Sequence, residues 1–120
     1  MSSQSDAAPA EPIQLTDPDE YANIVSQYDV VLVDFYADWC GPCQMMEPTI
    51  EGLAEDTDAA VLKVDVDQFQ ALASQHGVQG IPTLLVYDGG EHAERLVGPQ
   101  TGAALEPNAT GYTAERRAHA

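Results

Sequence analysis

The sequence predicts an α/β domain with a central mixed β-sheet flanked by helices on both faces. Three observations carry that prediction. Short β-branched and aliphatic runs alternate with segments whose apolar residues recur at helical spacing, an order that implies parallel strands covered by helices. The run Val30-Val31-Leu32-Val33-Asp34-Phe35-Tyr36-Ala37 is apolar almost throughout, as a strand buried on both faces must be. Gly89-Gly90 is a strong hairpin signal, and the strands it joins add antiparallel pairing to the sheet.

The elements follow in chain order. Residues 1–12, MSSQSDAAPAEP, are polar, small and proline-containing, and read as a disordered arm. They have no basic stretch followed by an apolar one, so they do not read as a secretory signal. Asp17 can cap a helix, Pro18 suits its first position and Glu20 can complete a capping box, giving a helix through Tyr21, Ile24 and Val25 to about Gln27. The strand Val30–Ala37 is next. After Cys43, apolar Met46, Ile50, Leu53 and Ala54 mark a helix to about Asp56, with Pro48 expected to kink it. Ala60–Val66 is a second buried strand. Phe69, Leu72 and Ala73 define a short helix ending before Gly77, Thr83–Tyr87 a third strand, and Ala93–Val97 a fourth beyond the hairpin. No internal repeat is present. The domain is expected over 13–98. Residues 99–120 are expected to hold at most a short helix around Ala103, Ala104 and Leu105, broken by Pro107, Asn108 and Gly111, and then a disordered tail.

Composition narrows the function. The chain has 120 residues and is 44% hydrophobic, which suits one domain with a packed core. Its longest aliphatic run, Val30 to Val33, is far short of the roughly 20 apolar residues a membrane-spanning helix needs. Twenty acidic residues stand against four basic ones, a formal net charge of −16. The cations are Lys63, Arg95, Arg116 and Arg117, too few for nucleic acid or anionic membrane to be partners. Such an acid excess repels itself unless salt screens it, and is expected of a protein adapted to a salty cytoplasm.

The chemistry centres on Cys40-Gly41-Pro42-Cys43, between a buried strand and a helix. A cysteine at a helix N-terminus meets unpaired N–H groups that favour its thiolate, and a two-residue spacer lets the second thiol reach the first. Zinc is the rival use of such a pair. A closed zinc site needs four ligands, and His76, His92 and His119 are scattered singly, so no metal is expected. Asp34 is the second informative residue. A carboxylate within a Val, Leu and Phe run is costly to bury charged, so its pKa should rise.

The segment from Val33 to Cys43, VDFYADWCGPC, resembles the active-site segment of the thioredoxin family. Gly80-Ile81-Pro82-Thr83 resembles the family's second signature, whose proline is cis; Asp88-Gly89-Gly90 and Val97-Gly98 resemble its hairpin turn and a substrate-facing glycine. The resemblance spans Ile13 to Gly98 and implies a thioredoxin fold and a protein-disulfide reductase without a bound cofactor. It implies that Cys40 is the nucleophile and Cys43 the resolving thiol, with Asp34 beneath the pair taking the proton of Cys43 and Lys63 approaching Asp34. It further implies a substrate-binding surface formed by Trp39, Gly41, Pro42, Ile81, Pro82, Val97 and Gly98. The implied partners are a thioredoxin reductase and disulfide-containing proteins, met by a cytoplasmic monomer. Alternative uses of this sequence are a dithiol oxidase or isomerase and a non-catalytic binding module. Three departures stand out: Tyr36 where many members have Trp, Gln44 where Lys is common, and a C-terminal segment without clear amphipathic periodicity.

Overall fold

The computed structural model describes residues 7–109. Five strands form one sheet in the order β1-β3-β2-β4-β5. These are β1 (Ile13–Gln14), β2 (Val30–Tyr36), β3 (Ala60–Asp65), β4 (Thr83–Asp88) and β5 (Glu91–Val97). The first three are mutually parallel, and β4 and β5 add antiparallel pairing, so the sheet is mixed. The expected architecture is the one observed.

β2 lies at the centre and every one of its residues is buried. Side chains alternate across a strand, and the two sets enter separate cores. Val31, Val33 and Phe35 join Tyr21, Ile24 and Val25 of α1 (Tyr21–Gln27) and Leu72 and Ala73 of α4 (Gln70–Gln75). Val30 and Leu32 join Ile50, Leu53 and Ala54 of α3 (Glu47–Asp56) on the other face. Helices thus cover both faces. Asp34 belongs by alternation to this second set.

Several boundaries differ from the sequence reading. β1 was not anticipated: two residues, with Ile13 opposite Leu62, are too short for any periodicity to register. A 3-10 turn at Pro18–Glu20 precedes α1, with the Asp17 carboxylate accepting from the Asp19 amide at 2.9 Å. At Pro48 the expected kink is a break into α2 (Gly41–Met45) and α3. β5 begins at Glu91, earlier than expected, because its exposed alternating face lacks the apolar run that marks the buried strands.

The C-terminal helix does not stop at Pro107. Residues 102–109 are helical (α5), and Thr101 accepts from the Ala104 amide through its hydroxyl at 3.1 Å. Leu105 and Ala109, four residues apart and hence on one helical face, are buried in the α3-side core. Proline removes one N–H from the ladder, and this burial outweighs the loss. At the other end, residues 7–12 form no strand or helix, yet Ala8 packs on the α1-side core. The remainder of the expected arm and tail, residues 1–6 and 110–120, lies outside the described residues.

Candidate active site

The cysteine motif is built where β2 leaves the sheet. The Cys40 amide donates to the Ala37 carbonyl at 3.2 Å, turning the chain toward α2. Cys40 takes the N-cap position with extended backbone, and its Sγ accepts from the Cys43 amide at 3.2 Å. Pro42 occupies the first turn, where its missing N–H has no helical partner to lose. Cys40 and Cys43 form a disulfide with a Cα–Cα separation of 5.2 Å. Both sulfurs are nearly buried against Tyr36, Ala37, Val66 and Ile81, while Gly41 and Pro42 between them are exposed. On reduction, the amide aimed at Cys40 Sγ favours a thiolate there.

Asp34 sits on the sheet face covered by α3, in register with Lys63 on β3 and Leu84 on β4. It is only 3% exposed. Burial pushes its pKa up to about 7; the Lys63 ammonium lowers it and the Glu47 carboxylate raises it. The rise anticipated from the apolar run is therefore present, and its cause is desolvation. This puts a proton acceptor that titrates near neutrality on β2, the strand whose C-terminal end leads into the cysteine motif.

Lys63 stands opposite Asp34 on the adjacent strand and is the cation that acts on it, while its ammonium engages a different carboxylate. Its Nζ donates to Glu47 Oε2, at the start of α3, and lies 4.4 Å from the centroid of the Tyr36 ring. Glu47 was not singled out from the sequence. An exposed-looking Glu beside Pro48 carries no local mark of a partner sixteen residues on.

The remaining site residues flank the sulfurs. The Ile81-Pro82 peptide is cis, and Ile81 packs on the cysteine cluster. The Gly98 amide donates to the Pro82 carbonyl at 2.8 Å, and Val97 pairs with Thr83. Gly98 has φ 88°, a conformation for which glycine is the ready choice. Val97 is exposed, and Trp39, next to Cys40, is 70% exposed, its indole N–H donating to Asp67 Oδ2 at 2.8 Å. Asp67 and the exposed Met45, the last residue of α2, were also missed by the sequence reading. Among the described residues no three His, Cys, Asp or Glu side chains are grouped as a metal would require. His76 is half-buried instead, its Nδ1 2.9 Å from the Leu72 carbonyl and its ring 4.6 Å from that of Tyr21.

Comparison with known proteins agrees with this geometry. Residues 12–110 match the thioredoxin family. The chain is 46% identical over 90 residues to a thioredoxin of Staphylococcus epidermidis, covering 73% of this chain and 85% of that one. It is 40% identical over 95 residues to a bifunctional thioredoxin reductase/thioredoxin of Mycobacterium leprae, covering 78% of this chain and 21% of that one. The solved structure of a mutant thioredoxin from Halobacterium salinarum superposes with a TM-score of 0.85 at 53% identity, covering 91% of this chain and 96% of that one. A buried cysteine pair joined as a disulfide at a helix start, a cis-proline beside it and a matching family over most of its length leave one conclusion: the chain belongs to the thioredoxin family, whose activity is thiol-disulfide exchange through such a pair.

Proposed function

We propose that the protein is a general protein-disulfide reductase, acting as a monomer in a salty cytoplasm and recharged by a thioredoxin reductase. The observation that carries this reading is the Cys43 amide bonded to Cys40 Sγ at the start of α2, flanked by exposed Trp39 and Val97. Cys40, as thiolate, attacks one sulfur of a substrate disulfide; a mixed disulfide forms and the other substrate sulfur leaves as a thiolate. The Asp34 carboxylate takes the Cys43 proton. Cys43 then attacks Cys40 Sγ, the mixed disulfide breaks, and the substrate leaves with both sulfurs reduced. The two electrons now missing from the Cys40–Cys43 pair come from the reductase. Trp39, Gly41, Pro42, Ile81, Pro82, Val97 and Gly98 form the docking surface in this scheme, with the Ile81 backbone beside the cis bond pairing with an extended substrate segment.

Two findings support the finer parts. A reductase and a thioredoxin share one polypeptide in the Mycobacterium leprae relative. The net charge of −16 goes with 53% identity to a thioredoxin from Halobacterium salinarum.

The test is dithiothreitol-driven reduction of a disulfide-bonded protein in high KCl. Wild type should turn over, Cys40→Ser should be inactive, and Cys43→Ser should accumulate a trapped mixed disulfide through Cys40. A folded wild type that does not turn over, while holding partners equally well in Cys43→Ser without a covalent link, would overturn the reading in favour of a docking module.

A further inference from the structure

We propose that Glu47 is a positioning residue of the exchange reaction: it holds the Lys63 ammonium away from Asp34 and thereby sets the pH at which Asp34 can accept a proton. The inference rests on the reading of Asp34 as the acceptor for Cys43.

The geometry offers Lys63 two carboxylates. Asp34 and Lys63 are opposite one another on adjacent parallel strands, so their side chains leave the same face of the sheet. Strands lie roughly 4.8 Å apart, and a lysine stem spans that distance with ease. Nevertheless, the ammonium turns to Glu47 Oε2 and rests over the Tyr36 ring. Solvation decides between the two. The Glu47 side chain is 31% exposed and remains hydrated when ionised, whereas Asp34 is 3% exposed and resists ionisation. A lysine choosing between an existing anion and a group that must first become one goes to the anion.

The groups facing Asp34 are few. β4 presents Leu84, β3 presents Lys63, and the α2–α3 side presents Glu47 above an apolar layer that includes Ile50. On β2 itself Tyr36 follows on the same face, its hydroxyl accepting from the Gln14 amide at 2.9 Å. Lys63 is thus the cation that acts on Asp34, and Glu47 both engages it and adds a like charge of its own. Withdrawing Glu47 frees the lysine to pair with Asp34, which would then ionise at lower pH.

The deciding experiment titrates the Asp34 side-chain carbon by NMR in the oxidised protein, where neither thiol is present to couple. Glu47→Gln should lower the Asp34 midpoint by about one pH unit, the lower end of what a newly adjacent cation produces. In a Lys63→Met background the same substitution should move the midpoint by less than half as much. The acid limb of mixed-disulfide resolution should follow the midpoint in each variant. An Asp34 midpoint unchanged by Glu47→Gln overturns the proposal. So does an undiminished shift in the Lys63→Met background, since Glu47 would then act by its own charge alone. Failure of the underlying reading shows in a separate readout: Asp34→Asn would leave the pH profile of resolution unaltered.

Discussion

The Trp39 indole N–H donates to Asp67 Oδ2 at 2.8 Å, tying the residue before Cys40 to the loop after β3. An exposed tryptophan with a fixed ring presents a flat apolar face at lower entropic cost than a free one. Asp67→Ala should release the ring. KM for protein disulfides should rise roughly twofold to tenfold, the net worth of one solvent-exposed hydrogen bond, with kcat little changed. The indole N–H resonance and the tryptophan emission report release directly. Unchanged emission together with unchanged KM would show that the bond does not order the ring.

Asp34 makes stability depend on pH in a stated direction. Its folded pKa of about 7 lies above the unpaired value of 3.8. Between those values the folded state binds more protons than the unfolded chain, so stability falls as pH rises through the window and is lowest above it. A rise of this size corresponds to a penalty on the order of 4 kcal/mol at alkaline pH. Asp34→Asn should therefore stabilise the oxidised protein by about 2–4 kcal/mol at pH 8 and do almost nothing at pH 4. Urea midpoints at the two pH values check this, and an equal gain at both would contradict it.

Leu105 is fully buried although its helix carries a proline two residues on. Leu105→Ala should destabilise by about 2–5 kcal/mol through lost burial and the cavity left against α3. Ala103→Ser, exposed on the same helix, should stay within about 0.5 kcal/mol of wild type. Equal effects of the two substitutions would mean that α5 does not seal the sheet.

The acidic surface should make the fold salt-dependent. Going from about 0.1 M to molar KCl shortens the screening length from roughly 10 Å to 3 Å, less than most distances between surface carboxylates. The melting temperature should rise across that range. A flat or falling melting curve would remove salt adaptation as the reason for the charge.

How much was legible in the sequence depended on where the determinant lay. Strands β2, β3 and β4 announced themselves because burial on both faces demands apolar runs, here interrupted only by Asp34 in β2 and Lys63 in β3. The rise at Asp34 was readable for the same reason, its neighbours being the source of its desolvation. By contrast, Glu47 became informative only once folding brought α3 against β3, and ion-pair choice leaves no local trace. Leu105 and Ala109 are likewise a two-point pattern, too sparse to outweigh a proline until the core they enter is seen. β1 has two residues, and what makes it a strand is its partner at Leu62.

The Lys63–Glu47 pair also has a practical side. Lys63 is the sole lysine of the chain, so any acyl group placed on a lysine side chain reports on this one position beside the redox centre. With 13% of its side chain exposed and its ammonium engaged, it should acylate slowly. A labelling rate read on the peptide that contains Lys63, which keeps it apart from the α-amine, then becomes a clock for the opening of that ion pair.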